Sequence, residues 1–444
     1  MAGNLAEAKY LIIGNSAGGI GAVEAIREAD ETGSIIIVSD EPYPAYSRPL
    51  ISEHLAEGCS LERMRYRPAD FYERNGISTV LGQKAVSLDL AKRTLTLESG
   101  KMISWQKLLL STGGLPIVPP TEGAGREGIF TFTTLDDARA IGRYLEKTDR
   151  VVVIGGGLIG VSVTEALVKR GAQVTIVEMK DRVLNTILDE EVSALEDSAL
   201  RQADVDIITG HVVAEINGRG KRVHGVTLDD GSRLPCGMVI IAIGVRPRTE
   251  LVKGTAIKVN RGIVVDHHMT TFHPDVYACG DVAEAFDITY GECRLTPIWP
   301  NAYIGGRTAG FNMAGQPTEY PGGMAMNSLN YFGLNVVSAG VVTPPNESYE
   351  VITARKDGTY RKVVLKNGGV VGLLFVGDIE KSGIIQGLIR NQINVDDFKQ
   401  ALVADDFGLA SLPGEMWRPE LELPAGAVIP SAAAKEPEEV LAGE

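Results

Sequence analysis

Short apolar runs that end on glycine turns recur along this chain. Leu11-Ile12-Ile13 runs into Gly14-Asn15-Ser16-Ala17-Gly18-Gly19, and Ile35–Val38 leads to Asp40 and Glu41. The arrangement returns at 151–160, Val-Val-Val-Ile-Gly-Gly-Gly-Leu-Ile-Gly, followed by Val174-Thr175-Ile176-Val177 and then Glu178. Continuous apolar runs of this length, bounded by turns, predict buried strands. Each copy therefore reads as strand, glycine turn, helix, second strand and a terminal acid. The second copy is a full G-x-G-x-x-G at Gly155, Gly157 and Gly160, with Leu158 and Ile159 opening the helix. In the first, Gly14 and Gly19 flank Ser16, which stands in place of the middle glycine.

Two further strands end in similar turns. Leu108-Leu109-Leu110 leads to Ser111-Thr112-Gly113-Gly114 and a proline-rich linker, and Val239–Ile243 leads to Gly244, Arg246 and Pro247. A short helix is predicted over Asp136–Leu145. Residues 263–281 predict a strand pair closing on Gly280-Asp281, and 302–315 a helix with Asn312 near its end. Past Gly322 the texture changes: strands at Val336–Val342, Arg361–Leu365 and Val370–Val376 precede a helical stretch at Ile379–Arg390. This predicts a smaller α+β domain. The tail from Trp417, rich in Pro, Ala and Glu, reads as disordered, with a docking peptide as the alternative.

The glycine turn has a mechanical purpose. The first glycine lets the backbone leave the strand tightly, the second lets it approach a pyrophosphate, and the third lets the helix pack close to the strand. Unpaired N–H groups at the helix start, with the partial positive charge there, hold the phosphates. The acid after the second strand accepts from ribose hydroxyls. Two such devices in one chain suggest that electrons pass between two nucleotide cofactors.

Composition narrows the class. The 444 residues are enough for several domains. A net charge of −14 argues against nucleic acid or an anionic membrane as partner. No stretch has the apolar length of a membrane span, and no signal-like segment precedes Tyr10, so a cytoplasmic location is expected. Cys59, Cys236, Cys279 and Cys293 form no C-x-x-C, and His267, His268 and His273 match no common zinc spacing, so no metal site is expected.

These landmarks resemble the FAD-dependent pyridine nucleotide-disulfide oxidoreductases over roughly residues 8–412. Within them the chain is most similar to rubredoxin and ferredoxin reductases and the flavin part of the nitrite reductase large subunit. The resemblance implies an α/β fold of two doubly wound (Rossmann-like) domains plus a C-terminal α+β domain. The implied division is an FAD-binding domain at 1–115, an NAD(P)H-binding domain at 116–243, the rest of the FAD domain at 244–320, the C-terminal domain at 321–415 and an acidic tail at 416–444. A homodimer through the C-terminal domain is also implied.

Carried over by motif, Gly14, Ser16, Ala17, Gly18 and Gly19 would hold the FAD pyrophosphate. Asp40 or Glu41 would hold its adenosine ribose, Arg48 its phosphate, and Ala85 its adenine through the backbone. Thr112-Gly113 and Ile243-Gly244 match paired turns where the domains meet. Gly280-Asp281, in Tyr-Ala-Cys-Gly-Asp, would bind the ribityl chain, with Trp299 and Tyr331 against the isoalloxazine ring. Gly155, Gly157, Leu158, Ile159, Gly160 and Glu178 would hold the second nucleotide. A carboxylate at 178 repels a 2′-phosphate, so NADH is expected over NADPH.

The chain departs from the family twice. Disulfide- and peroxide-reducing members carry a redox cysteine in the stretch matching 42–56, and this chain has none there. Several relatives place a lysine and a glutamate beside flavin N5, where Glu53 and Ser162 stand here. The expected activity is electron transfer from NADH through FAD to an iron–sulfur carrier or partner subunit. An NADH oxidase or diaphorase and a nucleotide-controlled assembly protein are the alternatives.

Overall fold

The computed structural model describes residues 6–414, so the tail at 416–444 lies outside the described residues. The first apolar runs become neighbouring parallel strands. Ala6–Ile13 lies between Ile35–Ser39 and Met102–Leu110, and Ile77–Leu81 extends the sheet beyond Ile35–Ser39. Thr94–Leu97 and Ala85–Asp89 add an antiparallel edge on the other side. Val276–Ala278 returns from far along the chain to pair in parallel with Met102–Leu110.

Six helices surround the two glycine turns, α1 (Ala17–Ala29), α2 (Ile51–Glu57), α3 (Leu135–Tyr144), α4 (Leu158–Lys169), α5 (Glu190–Gln202) and α6 (Trp299–Met313), and α7 (Ser382–Arg390) belongs to the C-terminal unit. Helix α6 crosses α1 at glycines. A Cβ on Gly306 would overlap the Gly18 carbonyl oxygen, and one on Gly310 that of Ala22. The two backbones can therefore approach closely, which seats the start of α6 beside the first glycine turn.

The second motif builds an all-parallel sheet in the order Asp206–Thr209, Gln173–Glu178, Arg150–Ile154, Met238–Ile241, Ile129–Thr131. Its side chains divide by the two-residue period of a strand. Val151, Val153, Ile176 and Ile240 pack with α2, α3 and α4. Val152, Val177, Val239 and Ile241 pack with Ile216, Val226 and Leu228 of an antiparallel ribbon. The C-terminal unit is a five-stranded antiparallel sheet, in the order Met326–Tyr331, Leu334–Gly340, Gly369–Val376, Thr359–Lys366, Glu350–Lys356. One face covers α7. The other sets Val336, Tyr360, Leu374 and Val376 against Val161, Leu184, Leu188 and Val192.

The architecture is two doubly wound units plus a C-terminal α+β unit, as expected. Three local expectations fail. Ile263–Val264 and Val276–Ala278 are not paired with each other. The first pairs with Ala283–Asp287 and the second joins the main sheet, because such short strands are placed by the edges available to them. Helix α6 begins at Trp299 rather than at 302, since Pro300 fits the first turn, where no donor is needed. Helix α7 begins at Ser382 rather than at Ile379.

Candidate functional site

Both glycine turns have the geometry their sequence requires. Gly14 and Gly155 leave their strands at φ +120° and +105°, a region that side chains disfavour. A Cβ on Gly160 would overlap the Gly155 carbonyl oxygen, and one on Gly19 that of Gly14. At Gly157, by contrast, a Cβ would meet nothing within 4 Å. The helices beyond, α1 and α4, are capped by Ser16 and Gly157 without a side-chain hydrogen bond, so their first N–H groups face outward. Two crowded positions flanking one open position at a bare helix start fit a pyrophosphate at the second turn, and the first repeats the crowded pair Gly14 and Gly19 with Ser16 between them.

The acid after each second strand is differently engaged. Glu178 is buried, and its Oε2 accepts from Gly156 N–H at 2.6 Å and its Oε1 from Lys180 N–H at 2.8 Å. It thus braces the turn it is expected to serve. Glu41 accepts from the Tyr46 hydroxyl at 2.5 Å and pairs with Arg48. Arg48 also donates to the Thr133 carbonyl at 3.0 Å, and Tyr46 accepts from Leu135 N–H at 3.1 Å. Arg48 therefore sits on Glu41 and at the entry to α3. Asp40 pairs with Arg248 at 2.7 Å. Ala85 begins its strand nearby, since Gly82 N–H donates to the Glu41 carbonyl.

Arg248 is a residue the sequence reading missed. Its carbonyl accepts from the Thr112 hydroxyl at 2.9 Å, and its N–H donates to the Gly113 carbonyl at 2.9 Å. It ties the 112–113 turn to the 243–244 turn, whose strands Gly114–Pro116 and Val245–Pro247 pair antiparallel. Only the run Ile243-Gly244-Val245-Arg246-Pro247-Arg248 hinted at it, and nothing in that run announces a partner at Asp40.

Gly280 and Asp281 lie at the end of Val276–Ala278, beside α6. Burial pushes the Asp281 carboxyl above its ordinary range, opposed by the positive charge of Arg48. Trp299, at the start of α6, meets Tyr66 edge-on at 4.9 Å between ring centres. Tyr331 stands elsewhere, facing Ser162 on α4, and burial raises its hydroxyl pKa. Glu53 is exposed on α2, which packs on α4, and Arg170 beyond α4 donates to the Leu55 carbonyl at 3.0 Å. Of the three neighbouring histidines, His267 lies tilted against Phe286 with ring centres 4.9 Å apart, His268 contacts the Thr318 carbonyl, and His273 lies edge-on to Trp105.

Comparison with known proteins agrees with this geometry. A family model for pyridine nucleotide-disulphide oxidoreductases matches residues 8–306, and one for the rubredoxin NAD+ reductase C-terminal domain matches 326–393. The chain is 31% identical to the NADH-dependent phenylglyoxylate dehydrogenase subunit epsilon of Aromatoleum evansii, over 92% of this chain and 98% of that one. It is 27% identical to the nitrite reductase [NAD(P)H] of Bacillus subtilis over 88% of its own length, but spans only 48% of that relative. The structure of a covalent putidaredoxin reductase–putidaredoxin complex superposes with a TM-score of 0.83 at 25% identity, covering 94% of this chain and 100% of that one. The chain belongs to the pyridine nucleotide-disulphide oxidoreductase family. It is an FAD-dependent NAD(P)H oxidoreductase whose cofactors are FAD and NAD.

Proposed function

We propose that this chain carries electrons from NADH through FAD to an iron–sulfur carrier, either a small protein of rubredoxin or ferredoxin type or a subunit of a larger complex. The observation that carries this reading is the pair of pyrophosphate-ready turns, at Gly14 and Gly155, on two sheets joined by the Arg248 tie. The empty 42–56 stretch adds to it, since no cysteine there can relay electrons as a disulfide. Relatives named as reductases of rubredoxin and putidaredoxin support the choice of acceptor. The end-to-end match to a dehydrogenase subunit supports the larger-complex form.

In this reading residues 1–115 and 244–320 bind FAD, 116–243 bind NADH, and 321–415 form the third unit. FAD, when bound, accepts a hydride from NADH and gives its electrons up singly. The protein's part is placement. Gly14, Ser16, Ala17, Gly18 and Gly19 hold the FAD pyrophosphate, Glu41 or Asp40 the ribose, and Arg48 offsets the negative charge. Thr112-Gly113 and Gly280-Asp281 line the flavin side with Trp299, while Tyr331, Glu53 and Ser162 bound the face shared with the nicotinamide. Gly155, Gly157, Leu158, Ile159, Gly160 and Glu178 hold NADH, with Ile243-Gly244 beside it. We also place the protein in the cytoplasm, and as a homodimer through the C-terminal unit. Among the described residues no helix is long and apolar enough to cross a membrane.

The test is an anaerobic NADH titration followed by visible absorbance. Bleaching at one NADH per flavin, slow recovery in air and fast recovery with an oxidised iron–sulfur protein are expected. Fast recovery in air with continued NADH loss would replace this reading with an oxidase.

A further inference from the structure

One buried acid serves neither nucleotide turn. Helix α5 presents Val192, Glu196 and Leu200 at four-residue spacing, one stripe directed into the protein. Glu196 is 1% exposed, and its Oε1 is enclosed without a hydrogen-bond partner among the described residues. Across from it, α4 carries Glu165, whose carboxylate accepts from Phe332 N–H at 3.2 Å and pairs with Lys169 at 3.6 Å. Phe332 forms the tip of the hairpin between Met326–Tyr331 and Leu334–Gly340. Its neighbour Tyr331 reaches the Ser162 side chain and feels the charge of both Glu165 and Glu196. The tip of the third unit therefore rests on α4 at Glu165, within reach of the charge of Glu196.

We propose that Glu196 is a proton-dependent positioning residue. Carrying its proton, it lets the tip at 331–332 seat against Ser162 and Glu165; as an anion beside Glu165, it unseats the tip. Two like charges here would share a buried seam in which Lys169 pairs with Glu165 at the edge and Tyr331 is a titratable neighbour. Burial and the Glu165 charge together move the Glu196 carboxyl up to about 7, so both forms are populated near neutrality. The consequence for flavin or nicotinamide rests on the proposed assignment of Tyr331 and Ser162 to that face; the seating itself does not.

The experiment is hydrogen–deuterium exchange of segment 326–340 in the FAD-loaded protein, from about pH 5 to about pH 8, corrected for intrinsic exchange. The unseated state ionises Glu196 at an ordinary carboxyl value, and the seated state near 7. Protection should therefore fall about tenfold per pH unit up to neutrality and then level off. Glu196→Gln, which keeps the neutral shape, should be flat across the range. Glu165→Gln should shift the levelling-off to lower pH. A flat wild-type profile, or an unchanged slope in Glu196→Gln, overturns the proposal. Flavin absorbance recorded on the same samples separates the two readings. Exchange that follows pH while the spectrum does not leaves the seating standing and removes Tyr331 and Ser162 from the flavin side.

Discussion

Replacing Glu178 with glutamine tests the second nucleotide turn directly. The carboxylate braces that turn with two backbone contacts, Gly156 N–H at 2.6 Å and Lys180 N–H at 2.8 Å, in a buried position. An amide can offer only one acceptor to these two donors, and its NH2 group then faces the other N–H. The change removes one charge-assisted hydrogen bond outright and weakens the second. At about 1.5–3 kcal/mol for a bond to a charged group, the loss is about 2–3 kcal/mol. Part of it appears as stability and part as binding, because Gly156 lies within the turn itself. If all of it fell on binding, NADH affinity would drop about 30- to 150-fold. If all of it fell on the fold, the melting temperature would drop by roughly 4–12 °C. Titration of NADH by protein fluorescence, beside a thermal melt of the same samples, reads both. The lost charge also removes the repulsion of a 2′-phosphate, so NADPH should lose less affinity than NADH. A Glu178→Gln protein that binds NADH within about threefold of wild type and melts within about 1 °C of it would refute the bracing argument.

Further outcomes follow from the same geometry. Gly157→Ala should fold normally, since its Cβ meets nothing within 4 Å, yet lose NADH binding because the methyl group fills the open approach; Gly160→Ala should fail in thermal melts, because its Cβ overlaps the Gly155 carbonyl oxygen. Glu196 has a folded-state pKa raised from 4.5 to about 7, so its cost to folding is absent below the lower value, grows between the two and is complete above the upper. Glu196→Gln should therefore be more stable than wild type by about 3 kcal/mol at about pH 8 and equal to it at about pH 4, as checked by urea unfolding. Lys362→Met should destabilise by about 1–2 kcal/mol in the same assay, because it leaves the half-buried Asp189 without its cation, which now lies 2.9 Å away.

The legible parts of this molecule are those ruled by local backbone chemistry. Gly14, Gly155 and Gly160 stand out in the sequence because few other residues adopt those angles or tolerate that approach. The strand runs are legible because parallel sheets bury both faces, so Val151–Ile154 and Val174–Val177 carry almost no polar residue. Partners set by long-range closure were not legible. Asp40 finds Arg248 across 208 positions, and Arg48 goes to Glu41 and to the Thr133 carbonyl. Ile263–Val264 is too short for its pattern to choose an edge. Glu196 did leave a trace, an acid on the apolar stripe between Val192 and Leu200, but a single polar residue there usually lies at a helix margin.

Asp189 has a consequence for how the chain is made. One carboxylate caps α5 through Val192 N–H and also receives Tyr360 and Lys362 of the third unit. Lys362 follows it by 173 residues. At ribosomal speeds of about 5–20 residues per second, the nucleotide unit emerges some 10–30 seconds before that support exists. During that interval Val161, Leu184, Leu188 and Val192 have no cover from the sheet that later packs on them. The nascent protein is thus a natural client for chaperones at this face, and stalled or truncated chains ending before the third unit would be the species that aggregate.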